Sequence, residues 1–227
     1  MIAVKRVLRY LVGTKDWKLR VGGSGSDISY YVNSDCPGEN NSCFVDADYA
    51  GDPDDFRSTS GLCVVFGGVI DWRSRKQKST APSTTDAEYY AFGMGCMRMT
   101  QIIQLLNKFG LENALQKPVI YTDSQSMLSS VKGRIYRGTA VAHIATKFYL
   151  GADMVTDGEV RLEYIPSEKM LADGFTKALP KPAFLKLCSM MGLVGKGLRA
   201  YKLGLDMPLV YPPASIEGTA NAIASYQ

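Results

Sequence analysis

The sequence FVDADYAGD, residues 44–52, decides the fold and the site that we expect in this chain. Its first residues favour a strand, and they lead directly into aspartates. A carboxylate at the end of a buried strand loses hydration, which is costly unless further carboxylates converge and a divalent cation joins them. Asp46 directly follows the apolar residues, and Asp48 lies on the same strand face. Either is a candidate ligand, and the alternative is an Asx turn toward Gly51.

Composition favours one globular domain with appendages, or two small domains, since 46% of the 227 residues are hydrophobic and 21% are charged. No apolar run approaches the roughly 18 residues that a membrane span needs, so we expect no membrane partner. The five cysteines form no CxxC pair, which indicates reduced thiols in an intracellular setting. A single histidine, His143, excludes HExxH zinc chemistry. The net charge of +4 permits a polyanionic partner.

Periodicity and turn residues predict an α/β fold, with helices on the faces of a mixed sheet. Gly67-Gly68 is a hairpin signal, because primed two-residue turns need positive φ. Strands are predicted over residues 17–21, 43–48, 60–66, 69–73, 118–122 and 160–165. Helices are predicted over residues 2–11, 85–109, 124–131, 144–155 and 167–179, with an amphipathic piece at 184–191. The polar stretch 22–42 is interpreted as a linker or a loosely packed ribbon, and the tail beyond Pro208 as disordered.

Glu88 lies on the apolar stripe of the long helix, so its carboxylate is expected to point toward the core near the helix start. Gly93 and Gly95 would let this helix approach the sheet closely, which brings Glu88 toward the first core strand. The alternative is a capping box, because residues 85–88 match S/T-x-x-E. The other stripe positions are Phe92, Gly95, Met99, Ile102 and Leu106.

Two aspartates complete the candidate set. Asp123 ends a strand, and sites form outside the carboxyl ends of strands in α/β sheets; the alternative is that Asp123 or Ser124 caps the next helix. Asp173 lies off the buried stripe of the last predicted helix, so a solvated helix residue is its alternative. Gly174 costs about 1 kcal/mol in a helix relative to alanine, which indicates a close neighbour or a ligand.

The acidic residues lie within a series of six motifs: VDADYAGD (45–52), RSTSG (57–61), DWRSRKQ (71–77), STTDAEY (83–89), YTDSQ (121–125) and ADGFTK (172–177). In spacing and order this series resembles the ribonuclease H domain at the C-terminal end of the polyprotein of copia-type LTR retrotransposons. The resemblance implies a ribonuclease H-like mixed five-stranded sheet flanked by helices. It also implies four regions: 1–22 as the end of the reverse transcriptase or connection region, 23–42 as a linker, 43–193 as the ribonuclease H domain, and 194–227 as a partly disordered extension.

The resemblance implies endonucleolytic hydrolysis of the RNA strand of RNA/DNA hybrids by a two-metal-ion mechanism. The implied ions are two Mg²⁺, for which Mn²⁺ substitutes. Asp46, as the first aspartate of D-x-D, is preferred over Asp48. His143 matches a family histidine with a catalytic role, although the usual Lys-His-Ile-Asp reads Ala-His-Ile-Ala here. The implied metal ligands are Asp46, Glu88, Asp123 and Asp173.

The implied partners are the RNA/DNA hybrid and the reverse transcriptase portion of the same polyprotein. The implied location is intracellular: the cytoplasm, a virus-like particle or the nucleus. Two other functions remain open, namely a catalytically inactive hybrid-binding or scaffolding module, and a transposase or integrase of the same fold. Phosphate or 2′-hydroxyl contacts, or else a solvated basic face, are predicted for Arg73, Ser74, Arg75, Lys76, Lys78, Ser83, Thr84 and Arg137.

Overall fold

The chain divides into two units, Arg20–Gly192 and a unit formed by Met1–Leu19 with Leu193–Gln227. The computed structural model describes residues 2–21, 37, 41–110, 117–139 and 141–195. Its helices are α1 (Ile2–Thr14), α2 (Thr84–Lys108), α3 (Gln125–Lys132), α4 (Ala142–Thr156), α5 (Asp173–Thr176) and α6 (Lys181–Met190), with a 3₁₀ turn at Ser167–Lys169. Its strands are β1 (Lys18–Leu19), β2 (Ser42–Asp48), β3 (Thr59–Val65), β4 (Val69–Lys76), β5 (Val119–Thr122), β6 (Arg161–Tyr164) and β7 (Leu193–Val194).

Strand pairing confirms the predicted mixed five-stranded sheet, whose order is β4-β3-β2-β5-β6. Strands β2, β3 and β4 pair antiparallel, whereas β5 is parallel to both β2 and β6. The predicted hairpin between β3 and β4 is confirmed, and Gly67 and Gly68 have the expected positive φ of 63° and 135°. The loop has three residues and not two, because Val65 pairs with Val69 and Phe66 also lies in the turn. The parallel half of the sheet brings the carboxyl ends of β2 and β5 to the same edge.

Helix α2 packs on the sheet through the predicted stripe, in which Phe92, Met99 and Ile102 are buried. A Cβ at Gly95 would lie 2.5 Å from Val45 Cγ1, so glycine permits the close approach to β2. A Cβ at Gly93 would instead meet Lys147 Cβ of α4, at 2.5 Å. The predicted role of glycine in sheet approach is therefore confirmed for Gly95, while Gly93 serves helix–helix packing.

The predicted helix over residues 167–179 is wrong. The 3₁₀ turn is followed by a buried turn and by the single-turn helix α5, and Lys177 is already extended with φ −138° and ψ 156°. Met170, Leu171 and Ala172 are consecutive and all buried. A helix on the surface of a sheet buries only one stripe, so three successive buried side chains break the helical periodicity.

Other predicted boundaries differ by a few residues. Strand β4 continues to Lys76, so most of the predicted basic run lies in an edge strand. Helix α1 continues past Gly13 to Thr14, and the strand predicted over residues 17–21 is the short β1, which pairs with β7.

Several sequence-based predictions concern segments outside the described residues. Most of the linker (23–42) and nearly all of the C-terminal extension (194–227) lie there. Cys43, Cys63, Cys96 and Cys188 are described, and all four are buried and in no disulfide. No helix in the described ranges has both the length and the apolar character needed to cross a bilayer.

Candidate metal centre

Asp46 and Asp123 meet because their strands are adjacent, parallel and in register. The pairing of β2 with β5 places Phe44 opposite Tyr121, and each aspartate follows two residues later. Side chains two residues apart on a strand point to the same face, so both carboxylates emerge at the carboxyl edge of the sheet. Asp46 is buried there, whereas Asp123 is half-buried.

Asp173 is delivered by α5, which lies against β3 at Gly61. Gly61 is the register partner of Asp46. A Cβ on Gly61 would lie 2.7 Å from both Ala172 O and Thr176 Cγ2. The absence of a side chain on this strand residue therefore lets α5 approach the strand next to Asp46.

The three aspartates form one compact cluster. One carboxylate oxygen from each of Asp46, Asp123 and Asp173 lies within 4.8 Å of the others. Thr176 Oγ1 donates to Asp46 Oδ2 at 2.6 Å, and Ser167 Oγ donates to Asp123 Oδ2 at 2.7 Å. These hydroxyls orient two of the carboxylates and leave an oxygen of each available to a cation.

Lys177 brings positive charge to the cluster. Its Nζ lies 2.9 Å from Asp173 Oδ1. Burial lowers the pKa of Lys177, but Asp173, Asp46 and Asp123 raise it by more, so the net direction is upward. The ammonium group stays charged and offsets part of the repulsion among the carboxylates.

Glu88 lies beside these aspartates, at the start of α2. Its Oε2 is buried and has no hydrogen-bond donor. Burial, and then repulsion from Asp46 and Asp123, raises the pKa of Glu88 well above its usual value, against smaller opposing effects of Lys177 and the Ala47 backbone. A buried carboxylate oxygen without a donor, next to other acids, is stabilised by a nearby cation.

The capping-box alternative for residues 85–88 is wrong. Ser83 is the N-cap of α2, and its Oγ accepts from the Asp86 backbone N–H at 3.1 Å. The same hydroxyl donates to Asp86 Oδ2 at 2.6 Å. Since Ser83 and Asp86 form the cap, the Glu88 side chain does not cap the helix and instead faces the acidic cluster.

The structure also decides the alternatives for the aspartates. Ser124 caps α3 by accepting from the Met127 backbone N–H at 3.2 Å, so Asp123 is not the cap. The Asp48 carboxylate packs against the turn, with its Cγ 2.8 Å from where a Cβ on Gly51 would lie. Asp173 is half-buried, not solvated, and Gly174 has the predicted close neighbour in Leu187.

The electrostatics of the cluster suit a divalent cation. Burial raises the pKa of Asp46 to about 6, and Asp173 and Asp123 add to the rise while Thr176 and Lys177 oppose it. All the candidate ligands are carboxylate oxygens, which Mg²⁺ prefers. The donor set and the unsatisfied Glu88 oxygen therefore fit a site for hard divalent cations.

His143 lies in a different place, at the start of α4. Its Nε2 is 2.6 Å from Ser79 Oγ. It lines a groove with Arg75 and Lys78, and none of the described residues that line this groove belongs to the acidic cluster. The resemblance assigns His143 a catalytic role, which stays a prediction.

Two of the predicted nucleic-acid contacts on β4 already have acidic partners. Lys76 Nζ lies 2.5 Å from Asp52 Oδ2 and 2.9 Å from Asp55 Oδ2. Arg73 Nε lies 3.6 Å from Asp71 Oδ2. These pairs are at the exposed edge of the sheet, where their net contribution to stability is small.

The remaining predicted contacts flank the start of α2. Ser83 donates a hydrogen bond to Asp86. The other three residues are exposed: Ser74 lies on β4, Thr84 is the first residue of α2, and Arg137 lies in the segment before α4. Asp86 also accepts a hydrogen bond from Tyr136 Oη at 2.9 Å. This bond connects the residue before Arg137 to α2.

Sequence reasoning assigned no role at the acidic cluster to Thr176, Lys177, Ser167 or Gly61, and it predicted Ser167 as a helix cap, which the structure does not show. Thr176 and Lys177 follow Asp173 by three and four residues, a spacing that puts side chains on one helix face and could have signalled their role. Gly61 interrupts a strand, which marks a close backbone approach. The contact of Ser167 with Asp123 spans 44 residues, and no local pattern announces it.

Comparison with known proteins relates the chain to retroelement polyproteins. It is 32% identical over 193 residues to the retrovirus-related Pol polyprotein from transposon RE2 of Arabidopsis thaliana, which covers 85% of the chain and 12% of that polyprotein. It is 35% identical over 187 residues to the corresponding polyprotein from transposon TNT 1-94 of Nicotiana tabacum, covering 82% of the chain and 13% of that protein. No family model matches the chain.

The chain is therefore similar to one segment of retrovirus-related Pol polyproteins, and it spans 12–13% of the length of the two relatives named above. More particularly, its homologues are the copia-type Pol polyproteins of plant transposons. Among solved structures, RNase H1 from the archaeon Halobacterium salinarum matches with a TM-score of 0.41 and 15% identity, over 60% of this chain and 92% of that one.

Proposed function

We propose that this chain is a ribonuclease H that hydrolyses the RNA strand of RNA/DNA hybrids during reverse transcription of a retrotransposon. The observation that carries this proposal is the convergence of Asp46, Asp123 and Asp173, with Glu88, whose Oε2 has no hydrogen-bond donor, beside them. Homology to copia-type Pol polyproteins supports the setting of reverse transcription.

The four carboxylates would hold two Mg²⁺ ions, for which Mn²⁺ substitutes. When bound, such ions supply the positive charge that phosphodiester hydrolysis needs at its attacking and leaving oxygens. The chain itself contributes orientation. Thr176 and Ser167 fix the Asp46 and Asp123 carboxylates by hydrogen bonds, and Lys177 holds Asp173 by an ion pair.

A cleavage assay tests the proposal directly. A labelled RNA strand annealed to DNA should be cut in Mg²⁺ and spared in EDTA. The same RNA, alone or in an RNA duplex, should be cut at least about 100-fold more slowly, because the proposed substrate is the hybrid. Hybrid that is bound but uncut in both Mg²⁺ and Mn²⁺ would contradict the proposal and support an inactive hybrid-binding module.

The rival transposase or integrase function has less support. Such enzymes would not need a carboxylate on the first long helix of the domain, and Glu88 occupies that position beside the cluster. Strand transfer of a DNA end by the purified chain would reverse this preference.

We further propose that residues 1–22 end the reverse transcriptase or connection region, that 23–42 link it to the ribonuclease H domain at 43–193, and that 194–227 form an extension. The supporting observation lies on α1, where exposed apolar side chains recur at helical spacing. This face suits packing against the reverse transcriptase portion of the same polyprotein. The side chains that form this face of α1 are Val4, Val7, Leu8 and Leu11.

Replacing Leu8 with glutamate should therefore weaken binding to a separately purified reverse transcriptase portion by at least about tenfold, because a charge would be buried in the contact. The matched control is Tyr10→Glu, which introduces the same charge about 200° around the helix. Equal affinities for the two variants, measured by calorimetry, would contradict the assignment of this face.

A further inference from the structure

Gln77, the residue that follows β4, is a buried amide next to the start of α2. It is 1% exposed. It closes the motif DWRSRKQ (71–77), in which the basic residues lie exposed on the edge strand and the glutamine is the one fully buried residue. A polar side chain that is excluded from water takes hydrogen-bond partners from the protein, and those partners show which elements it connects.

The amide of Gln77 joins β3 to the first turn of α2. Its Nε2 donates to Ser60 Oγ at 2.9 Å and to Ala87 O at 3.0 Å. Because a backbone carbonyl can only accept, the amide must present its NH₂ group to Ala87. The backbone N–H of Gln77 donates to Ser58 O at 2.8 Å, which fixes the residue at the end of the sheet. The two bonds of Nε2 thus form a bridge from the sheet to the helix, the Gln77 bridge.

This bridge lies directly beside Glu88. The carbonyl of Ala87 and the backbone nitrogen of Glu88 belong to one planar peptide unit, so a bond that fixes the carbonyl also fixes where the Glu88 side chain begins. On the sheet, Ser60 pairs in register with Ala47 of β2, and the Ala47 backbone hydrogen-bonds the Glu88 carboxylate. Gln77 and Glu88 therefore close one ring of contacts between α2 and the strands β2 and β3.

The cap of α2 does not replace the Gln77 bridge. Ser83 and Asp86 bond each other, and Asp86 is also bonded by the segment before α4. None of these bonds reaches β2 or β3. The aspartates of the acidic cluster repel the Glu88 carboxylate. This repulsion acts to move the start of α2 away from the sheet, and the Gln77 bridge opposes it.

The other amide atom of Gln77 indicates that stability is not the reason for a glutamine here. Its Oε1 is buried, and no group among the described residues donates to it. A buried amide with one unpaired atom is destabilising relative to an apolar side chain of the same size. Stability alone would favour methionine at this position, so the glutamine has another explanation.

We propose that Gln77 is a positioning residue of the metal centre, which holds the Ala87 carbonyl, keeps the Glu88 carboxylate beside the aspartates and thereby sets the affinity for divalent cations. The proposal rests on the proposed function, in which Glu88 is a cation ligand. Without the Gln77 bridge, the start of α2 is free to move away from the cluster. A bound cation then loses one of its four candidate carboxylates for part of the time.

The test measures the affinity of the full chain for Mn²⁺ at neutral pH by titration calorimetry, without nucleic acid and without turnover. Gln77→Met keeps the size of the side chain and removes both donors. It should raise the Kd for Mn²⁺ about tenfold, as expected for a residue that supports a ligand. Its melting temperature should change by less than about 3 °C, because the unpaired Oε1 is removed as well. A Kd that stays within about twofold would overturn the proposal.

Val160→Ala is the matched control for a general loosening of the fold. Val160 is buried just before β6, at the amino ends of the parallel strands and therefore away from the acidic cluster. Its truncation leaves a cavity and should lower the melting temperature by about 5 °C, with the Kd for Mn²⁺ unchanged within about twofold. An equal rise of Kd in Val160→Ala and Gln77→Met would overturn the proposal.

A double-mutant cycle tests whether Gln77 acts through Glu88. In a Glu88→Gln background, Gln77→Met should change the Kd for Mn²⁺ less than about twofold, because the ligand that it positions is already gone. A tenfold effect that persists in this background would overturn the proposal. Where Gln77→Met does not fold, Ser60→Ala takes its place, since it removes one of the two acceptors of Nε2. It should raise Kd about threefold, and an unchanged Kd would overturn the proposal.

A failure of this proposal is distinguishable from a failure of the ribonuclease proposal. Hybrid that stays uncut while Mn²⁺ binding follows the expected pattern would refute the activity and support the role of Gln77. Equal Mn²⁺ affinities of the wild-type and Glu88→Gln proteins would show that Glu88 is not a ligand, and would overturn the role of Gln77.

Discussion

Replacing Asp46 with asparagine is expected to reduce hybrid cleavage by at least about 10³-fold and, without metal, to raise the melting temperature at neutral pH. The first effect follows because loss of one cation ligand removes several kcal/mol of charge stabilisation, and each 1.36 kcal/mol is about tenfold in rate. The second follows because burial, with help from Asp173 and Asp123, raises the pKa of Asp46 to about 6. Ionisation at neutral pH therefore costs on the order of 1–3 kcal/mol, which asparagine avoids.

The Asp46→Asn substitution tests the role of the charge alone, because asparagine has nearly the same shape as aspartate. Its side-chain oxygen can still accept from Thr176, so the packing of α5 on the sheet should survive. The control is Asp48→Asn on the same strand, which should change the cleavage rate less than about threefold. Full activity in Asp46→Asn, or its loss in Asp48→Asn instead, would show that the wrong aspartate has been assigned.

The stability of the metal-free protein should fall as pH rises from about 4 to about 7, and Mg²⁺ should reverse much of this loss. The pKa of Asp46 rises from 3.8 to about 6, mainly through burial, and the pKa of Glu88 also rises well above 4.5. The folded state then binds more protons than the unfolded state across this range, so stability is lost as pH rises through the folded pKa. A divalent cation binds the ionised carboxylates and competes with protons.

Saturating Mg²⁺ should therefore raise the melting temperature by about 5–10 °C at a pH of about 8, and by much less at a pH of about 5. Differential scanning calorimetry at matched ionic strength, with K⁺ in place of Mg²⁺, separates this effect from general screening. Glu88→Gln should flatten the pH dependence of the metal-free protein, because it removes one of the two raised pKa values. An equal gain with Mg²⁺ at both pH values would contradict a carboxylate metal site.

The local sequence around Glu88 supports two interpretations, a helix cap and a carboxylate that faces the core. Thr85 to Glu88 matches a capping box, and that motif alone favours the cap. The structure selects Ser83 and Asp86 for the cap because the chain enters the helix earlier than the motif assumes. Glu88 then points where its place on the apolar stripe predicts, beside Asp46 and Asp123.

The last segment shows where periodicity fails. Helical spacing over residues 167–179 is a property of neighbouring residues, yet the chain there is shaped by what it packs against. Met170, Leu171 and Ala172 are all buried, and Ala172 O lies against Gly61 of a distant strand. Packing against the sheet outweighs helix propensity, which amounts to only some tenths of a kcal/mol per residue.

The amino-acid sequence by itself determined the strands of the five-stranded sheet, the hairpin at Gly67-Gly68 and the long helix with its buried stripe, because these depend on spacing within a few residues. The acidic residues were candidates from their positions, and the family resemblance selected among them. Only the tertiary structure decided that Asp46 and Asp123 share a register, that Gly61 admits α5 next to Asp46, and that Thr176, Ser167 and Lys177 hold the cluster. It also placed His143 in a groove whose described lining residues do not belong to the acidic cluster. The reason is physical: these contacts join residues far apart in the chain, and strand register and backbone approach create them.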